Sequence, residues 1–396
     1  MRPWARVAAV LFVIGYGANQ FSPLMVMYRE RGHYSALVVA AFFGVYVAGL
    51  APGLLLGGPL SDRWGRRRVL LPAVVASIPA SAVLALGAFS QALLYTGRFL
   101  FGAVTGVAMA VGTTWVKELS QPPHDAEADE GSGARRAALA LSAGFGIGAA
   151  IGGSLAQWAP WPMELPYVVH VALTVPVVFS LLRTPETWLP GAPGRSWRAD
   201  LRVPAVAHPR FRRLVLPAAP WVFGAPAISF AIQPAALGAA RTAGFGLIFA
   251  TALTAVTLSA NVGIQSWARR LERHSRTAGA RLGLVLIVAG TLVAAVTAAT
   301  GSLVVAVAAA VVLGAGFGIS LVSGLLEVQR IAEPGQLAGL TAVYYSLTYV
   351  GFLFPVVLAA LVGVASYPVL LVAVAVVAVG CLAVVVRGGR RASAEV

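Results

Sequence analysis

The chain has 396 residues, of which 59% are hydrophobic and 11% charged, and its mean hydropathy is +0.83. A soluble domain carries about a quarter charged residues, so most of this chain must face lipid or other apolar helices. The formal charge of +15 does not indicate a nucleic-acid partner, because the arginines fall in short clusters between apolar runs. The single cysteine excludes an internal disulfide and a cysteine-based metal site, and we expect no cofactor.

Twelve runs of about 20 mostly apolar residues are each long enough to span a bilayer as a helix. Their approximate limits, in chain order, are 7–28, 36–60, 69–89, 91–116, 136–158, 166–183, 214–238, 243–267, 279–299, 302–326, 337–362 and 366–387. The sequence therefore predicts an all-α membrane protein. Its predicted parts are a six-helix bundle in 1–182, a cytoplasmic inter-bundle loop in 183–213, a second bundle in 214–388 and a cytoplasmic tail in 389–396. In the loop, Trp188 and Trp197 are expected to lie at the membrane surface.

Positively charged residues set the predicted orientation, because cytoplasmic loops carry an excess of Arg and Lys. If the N-terminus lies inside, 25 of the 29 Arg and Lys residues fall in inside segments and 3 in outside segments. We therefore expect both termini to be cytoplasmic. The remaining residue, Arg98, lies within a predicted span. The preference for Arg, with Lys117 as the one lysine, is typical of a GC-rich bacterial genome and favours a bacterial inner membrane.

Residues 58–70, GPLSDRWGRRRVL, lie between the second and third predicted spans. This segment resembles the signature loop of the major facilitator superfamily in its letters and in its position. A loop that only obeyed the positive-inside rule would not need Gly and Asp at these spacings. The resemblance implies two pseudo-symmetric six-helix bundles and a gating role for the loop. The loop residues that it assigns to the gate are Gly58, Asp62, Arg63, Gly65, Arg66 and Arg67.

Asp62 is expected to act as a latch on the cytoplasmic side. The superfamily fold would bring it to the start of the eleventh span, near Pro334, and a carboxylate at a helix N-terminus is stabilised by about 0.3–1 kcal/mol. The equivalent segment of the second half, 263–270, has no Asp in the place of Asp62. The latch is therefore predicted in the first half alone.

Two further contacts are expected around the signature loop. Gly58 would let the second span approach a neighbouring helix closely, because it has no side chain. Arg66 or Arg63 would bridge to Glu118 at the end of the fourth span. These contacts would hold the inner ends of the second, third and fourth spans together.

The fourth span carries an arginine followed by two glycines at helical spacing, Arg98, Gly102 and Gly106. This resembles the Arg-x-x-x-Gly pattern of proton-coupled members of the superfamily. An arginine about 10 Å inside the outer edge is costly in lipid and is a functional hypothesis by default, although its side chain could also reach outward to the headgroups. Asn19 and Gln20 lie at the same depth in the first span, where many drug–proton antiporters have a carboxylate.

A glycine-rich run in the fifth span resembles the antiporter signature of exporter families. Its glycines are Gly144, Gly148, Gly152 and Gly153, but Ala149 replaces the usual proline. Glycines on one face would allow close contact between the two halves, and the alternative is simple tight packing within a bundle. The match favours export.

Carboxylates are absent from the middle of every predicted span. A proton-coupled carrier needs a group that titrates near neutral pH, and the candidates are Glu30, Glu164, His170 and Glu327. Arg98 is a further coupling candidate, as a permanent charge inside a span. His170, near the outer end of the sixth span, could instead be a hydrogen-bonded residue at the membrane surface. Glu327, one turn before Arg330, could be part of an inside-surface ion pair.

The superfamily resemblance implies a central cavity lined by the first, fourth, seventh and tenth spans. Candidate lining residues are Asn19, Gln20, Tyr46, Trp221, Phe223, Gln233, Asn261, Tyr344, Tyr345 and Tyr349. The set is sparse and uncharged, whereas a sugar needs a hydrogen-bonding partner for each desolvated hydroxyl. An apolar, aromatic cavity suits a hydrophobic solute.

These features predict a secondary active transporter, a monomer in the lipid bilayer, that exports a small hydrophobic or drug-like compound in exchange for protons by alternating access. Such a protein would confer antibiotic resistance. An importer or facilitator of a small metabolite is the alternative, and a membrane sensor without transport is a remote one. An enzyme is not expected, because the chain has no catalytic triad pattern, metal cluster or phosphate loop.

Overall fold

The computed structural model describes residues 2–129, 131–188, 202–238, 243–274, 277–333 and 336–394. Within those ranges, 12 helices are long and apolar enough to cross a membrane, and no strand is formed. We label them α1 (Pro3–Glu30), α2 (Ala36–Trp64), α3 (Arg66–Ala88), α4 (Gln91–Glu118), α5 (Ser132–Trp158), α6 (Leu165–Leu182), α7 (Phe211–Leu237), α8 (Gly246–Glu272), α9 (Ala278–Thr300), α10 (Leu303–Ile331), α11 (Leu337–Leu361) and α12 (Tyr367–Gly389). The predicted all-α membrane fold is confirmed, and the cytoplasmic placement of the termini stays a prediction.

Several helices run past their predicted limits, and they do so at the ends predicted to be cytoplasmic. α2 continues to Trp64, α8 to Glu272 and α10 to Ile331, about a turn beyond the apolar runs that predicted them. A hydropathy window detects the stretch that crosses lipid, while the backbone continues as helix through charged residues that favour helix equally well. The charged groups of the inner ends therefore lie on rigid helices.

Three of the membrane helices are interrupted near residues of interest. α1 consists of Pro3–Asn19 and Phe21–Glu30, separated at Gln20. α4 and α7 contain wide turns of π type at Ala108–Gly112 and Ile228–Ile232. Turns of this type leave backbone groups outside the regular ladder and often occur near functional sites.

The chain forms two compact units, Met1–Met27 with Val45–Arg202 and Tyr28–Gly44 with Val203–Val396. The core of the first unit contains Leu11, Ile14 and Trp115, all fully buried. The core of the second contains Ile228, Leu284, Ile287 and Leu313. The predicted limits of the two bundles, the loop and the tail remain predictions.

Glycines let α5 pack directly on the backbone of α1. A Cβ added to Gly144 would lie 2.2 Å from the carbonyl oxygen of Phe12, and one added to Gly148 would lie 2.2 Å from that of Tyr16. Gly152 faces Gln20 in the same way, and Gly153 is also buried. The face that was expected to serve contact between the two halves is thus occupied by a helix of its own bundle, which corrects that expectation.

A second pair of glycines brings α4 against α2. A Cβ on Gly102 would lie 2.1 Å from the carbonyl oxygen of Tyr46, and one on Gly106 would lie 2.3 Å from that of Leu50. The close approach expected at Gly58 is not seen, because a Cβ there meets no atom within 4 Å. Its neighbour Gly57 approaches α4 instead, because a Cβ added there would lie 3.2 Å from the Cα of Val107.

Replacing Gly148 by alanine is expected to destabilise the first unit by about 1–3 kcal/mol, because the clashing atoms belong to the backbone of α1 and cannot rotate away. Thermal unfolding in detergent would show a lower midpoint. Gly146 is the matched control, since it lies on the same helix with no atom within 4 Å of an added Cβ. Equal midpoints for Gly148→Ala and Gly146→Ala would contradict the packing.

Candidate functional site

The signature segment is almost entirely helical. α2 ends at Trp64 and α3 begins at Arg66, so Gly65 alone separates the two helices. Its φ of +96° is a conformation that a side chain would disfavour. The turn therefore requires glycine and sets the positions of Asp62 and Arg66 on either side of it.

Arg66 is the centre of a charged network at this turn. Its Nη2 lies 2.8 Å from an oxygen of Glu118, and its Nε lies 3.2 Å from both oxygens of that carboxylate. Its Nη1 donates to the hydroxyl of Ser61 at 2.6 Å and to the carboxylate of Asp62. The Arg66 side chain is 11% exposed, so these bonds form away from most of the solvent. Of the two arginines considered as partners of Glu118, Arg66 thus forms the bridge.

The segment after α6 docks onto the same turn, which the sequence did not predict. The carboxylate of Glu186 accepts the backbone N–H groups of Arg66 at 3.1 Å and Arg67 at 2.9 Å, the first two residues of α3. An anion at this position neutralises unpaired N–H groups and the positive end of the helix. Nε1 of Trp188 donates to the backbone oxygen of Asp62 at 2.7 Å. Trp188 is therefore a contact of the signature turn, and its expected place at the membrane surface stays a prediction. Trp197 lies outside the described residues.

Asp62 keeps an exposed carboxylate beside this network. Its side chain is 63% exposed although it pairs with Arg66 one turn along. Pro334 and Gly335, which form the expected partner of the latch, lie outside the described residues. The latch therefore stays a proposal.

Arg98 is buried among aromatic rings, not at the membrane surface. It is 1% exposed, and its guanidinium carbon lies 4.2 Å from the ring centre of Phe21 and 4.3 Å from that of Tyr46. A cation over the face of an aromatic ring is attracted by the ring's charge distribution, by about 2 kcal/mol or more when water is excluded. This environment replaces the outward-reaching alternative. Phe21 was missed because an apolar ring gives no charge signal in the sequence.

The two amides of α1 have different surroundings. Nδ2 of Asn19 donates to the backbone oxygen of Phe145 at 2.9 Å, and its oxygen accepts the hydroxyl of Ser22 at 2.7 Å. Gln20 is fully buried, and neither atom of its amide has a hydrogen-bond partner among the described residues. Since a buried amide without partners costs about 1–3 kcal/mol per group, Gln20 is a natural position for a water or a substrate group.

His170 is fully buried in the first unit. Its Nδ1 lies 2.8 Å from the hydroxyl of Ser81, and its ring packs edge-on against Phe101 with centres 5.2 Å apart. It is therefore a buried, hydrogen-bonded residue, and its depth in the membrane stays a prediction. Glu30, another proton-coupling candidate, is exposed at the end of α1.

The second unit has a charged network of its own at the ends of α7, α8 and α10 that are predicted to be cytoplasmic. Arg330 lies 3.0 Å from Glu272 and 3.3 Å from Glu327, while Arg210 binds Glu327 with two nitrogens, at 2.5 and 3.1 Å. The side chains of Glu272 and Glu327 are 2% and 6% exposed. Glu327 is therefore a buried carboxylate with two arginines, not a surface pair, and Glu272 was missed by the sequence analysis.

An aromatic cluster joins α7, α10 and α11 of the second unit. The ring of Phe223 stacks on Tyr349 with centres 4.3 Å apart and lies 5.2 Å from Phe352 and 5.3 Å from Phe317. Tyr349 and Phe352 are buried, whereas the Phe223 side chain is partly exposed. Of the predicted lining residues, the cluster contains Phe223 and Tyr349.

The other predicted lining residues of the second unit are buried or engaged with neighbours. Gln233 is fully buried and makes long contacts of 3.4 Å to the backbone oxygens of Ser229 and Ala306. The oxygen of Asn261 accepts the amide of Gln265 at 3.3 Å. Contacts with aromatic or backbone groups are made by Trp221 with Phe354, by Tyr345 with Tyr344, and by the Tyr344 hydroxyl with Leu321.

Known proteins resemble the chain along most of its length. A chloramphenicol resistance protein of Pseudomonas aeruginosa is 24% identical over 348 residues, 84% of this chain and 77% of that protein. Trehalose transporter 1 of Drosophila melanogaster is 31% identical over 130 residues, and that match spans 30% of this chain and 15% of the transporter. A crystal structure of a POT family transporter with a thioalcohol-conjugated peptide superposes with a TM-score of 0.80 at 11% identity, covering 98% of this chain and 96% of the other.

The fold, the signature turn and these similarities agree on one class of protein. The trehalose relative and the structural neighbour named above are transporters. The sequence profile of the Major Facilitator Superfamily matches residues 7–354, which is most of the chain. The chain is a multi-pass membrane protein that belongs to the Major Facilitator Superfamily.

Proposed function

We propose that this transporter exports a small hydrophobic or drug-like compound from a bacterial cell in exchange for protons, acting as a monomer in the inner membrane. The observation that carries the proposal is the aromatic cluster around Phe223, in which the partly exposed ring is backed by Tyr349, Phe352 and Phe317. A surface of stacked aromatic rings binds flat apolar groups well. It offers few hydrogen-bond partners for the hydroxyl groups of a ligand.

The surroundings of the cluster favour the same class of substrate. Most described residues of α7 and α11 are apolar or aromatic, and the polar residues Ser229, Gln233, Tyr344 and Thr348 are fully buried. A sugar would leave hydroxyls without partners at such a surface, at a cost of about 1–3 kcal/mol each. The similarity to a chloramphenicol resistance protein supports a drug, and the short match to trehalose transporters supports the metabolite alternative.

The gate of the proposed cycle is the network around Arg66. It joins the inner ends of α2, α3 and α4 into one rigid group, with Asp62 exposed at its edge. A bistable arrangement of rigid groups is what alternating access requires. Asp62 would provide the contact that closes the cytoplasmic side. Arg98 would be the buried positive charge in α4 whose interactions change when the transporter binds a proton.

The proposal is tested by transport in proteoliposomes with chloramphenicol, a cationic dye and trehalose as probes, each with and without a pH gradient. We expect chloramphenicol or the dye to accumulate against its gradient when protons flow the other way. Trehalose flux that ignores the pH gradient, with no movement of the other two, would establish the facilitator alternative.

Phe223→Ala is expected to weaken the apparent affinity for the transported aromatic probe about ten-fold, since an aromatic contact contributes about 0.5–1.5 kcal/mol beyond its area. The measurement is the concentration dependence of transport in proteoliposomes. Phe179→Ala is the control, because that ring is 63% exposed on α6. An equal effect of both substitutions would contradict a role of the cluster in binding.

A further inference from the structure

A small cavity with polar groups on one side and apolar groups of α7 on the other lies inside the second unit beside the charged network of α8 and α10. Its volume is about 20 Å³, and its polar lining consists of Glu272, Thr277, Ser320, Ser323, Glu327 and Tyr344. A cavity needs about 10–15 Å³ to hold one water molecule. The space is therefore large enough for one water and too small for a substrate.

Ser320 places an unsatisfied hydroxyl group in the lining of this cavity. Ser320 is 4% exposed, and its hydroxyl has no hydrogen-bond partner among the described residues. The hydroxyl of Tyr344 reaches only the backbone oxygen of Leu321 at 3.3 Å and that of Ser320 at 3.4 Å. A water in the cavity would satisfy the Ser320 hydroxyl and bring it into contact with the carboxylates.

The contacts around the cavity favour a proton over a metal cation. Two carboxylates, Glu272 and Glu327, face two guanidiniums, Arg210 and Arg330, so the described network is neutral. Either cation adds positive charge to this network, but a proton adds one unit and a divalent metal ion adds two. Both carboxylates already accept from guanidiniums, whereas a proton needs a single oxygen and no coordination sphere.

The two carboxylates differ in the number of described ion pairs that their protonation would weaken. Glu327 binds Arg210 with both oxygens and also contacts Arg330, so its protonation would weaken two ion pairs. Glu272 pairs with the guanidinium of Arg330 at 3.0 Å, accepts the backbone N–H of Gly279 at 3.2 Å and interacts with the hydroxyl of Ser323, so its protonation would weaken one of the described ion pairs. Because Arg330 also contacts Glu327, protonation of Glu272 leaves each guanidinium with a carboxylate.

We propose that Glu272 is a protonation site of the second unit and that the cavity beside it holds the water that delivers the proton. A hydronium ion from the aqueous phase gives its proton to a Glu272 carboxylate oxygen, an O–H bond forms there, and a neutral water remains. The ion pair with Arg330 is then lost, and α8 and α10 are held less tightly. The described groups that face Glu272 come from three neighbouring helices. They are Thr277 just before α9, Gly279 in α9, Ser323, Glu327 and Arg330 in α10, and Tyr344 in α11.

The proposal rests on the proposed proton coupling for its role in transport, but the protonation itself is measured without a substrate. Infrared difference spectra between acidic and neutral pH, recorded on the full-length protein in liposomes, detect the carbonyl band of a buried carboxylic acid. We expect wild type to show such a band and Glu272→Gln to lose it. Glu333→Gln is the matched control, since Glu333 is an exposed carboxylate just beyond α10, and it should keep the band.

Transport measurements distinguish a defect in proton coupling from a defect in substrate exchange. Glu272→Gln has the shape of the protonated acid, so exchange of labelled for unlabelled chloramphenicol should continue, while accumulation driven by a pH gradient should fall at least about ten-fold. Continued exchange also shows that the variant is folded. Ser320→Ala removes the hydroxyl that holds the water and should shift the pH midpoint of the infrared band.

Two results would overturn the proposal: an unchanged acid band in Glu272→Gln, or full gradient-driven accumulation by that variant. A failure of the proposed function gives a different result, because the wild-type protein would then transport independently of the pH gradient. The infrared comparison of wild type with Glu272→Gln would still test protonation of Glu272.

Discussion

Replacing Arg66 by alanine is expected to abolish transport and to lower the midpoint of thermal unfolding. The guanidinium binds Glu118, Asp62 and the hydroxyl of Ser61 at once. Hydrogen bonds to charged groups contribute about 1.5–3 kcal/mol when they are shielded from water. Since the side chains of Glu118 and Asp62 are 31% and 63% exposed, solvent screening places the loss near the lower end, at about 2 kcal/mol.

The loss of transport should exceed what this modest destabilisation explains. Without Arg66, Glu118 keeps the hydroxyl of Thr187 as a partner but has no fixed link to Asp62. The inner ends of α2 and α4 are then free to move independently, and the gate no longer switches as one body. A lysine at this position would restore the charge but not the forked geometry, so Arg66→Lys should recover stability more than transport.

Arg68→Ala is the matched control for this experiment. Arg68 lies in the same turn of α3 with the same charge, but its side chain is exposed. Surface charges contribute about 0–1 kcal/mol, so Arg68→Ala should transport and unfold like wild type. If both alanine variants behaved alike in proteoliposomes, the network around Arg66 would have no special role in gating.

The sequence predicted the helices well because the bilayer imposes a simple rule. A segment that crosses lipid must be about 20 apolar residues long, and each of the twelve runs met that condition. The same rule explains the errors. The run predicted to end at 267 continues as helix to Glu272, because hydropathy does not register the charged turn that follows a membrane span. Glu272 was therefore treated as part of a loop and never considered as a buried carboxylate.

The site was predicted less completely than the fold. The signature turn was found because its letters and its position match a family pattern. The contacts of Glu186 and Trp188 with the turn were missed because their partners lie about 120 residues earlier in the chain, and no spacing rule connects them. The glycines of α5 were recognised as a packing face, but a sequence does not say which helix fills that face. These limits all concern contacts between helices that are distant along the chain.

Replacing Arg98 by methionine is expected to stop transport while leaving the protein at least as stable as wild type. The guanidinium is 1% exposed, and a charge in such a place costs several kcal/mol to bury. The rings of Phe21 and Tyr46 return about 2 kcal/mol of that cost. An apolar side chain of similar length should therefore raise the unfolding midpoint or leave it unchanged.

This opposite movement of stability and activity distinguishes a functional charge from a structural one. A structural arginine would lower the unfolding midpoint when removed, and transport would fall only in proportion to the protein that unfolds. Leu100→Met is the control, because Leu100 lies two residues along α4 with 40% of its side chain exposed, and it should change neither property.

The aromatic partners give an independent check of the role of Arg98. Tyr46→Phe keeps the ring beneath the guanidinium and should retain most of the transport rate, whereas Tyr46→Leu removes the ring and should reduce the rate about ten-fold or more. Proteoliposome transport at several pH values measures both variants. Equal rates for the phenylalanine and leucine variants would show that the guanidinium does not depend on the ring. The 4.3 Å contact would then be packing, and the energetic basis for keeping a charge in this core would have to lie in other neighbours of Arg98.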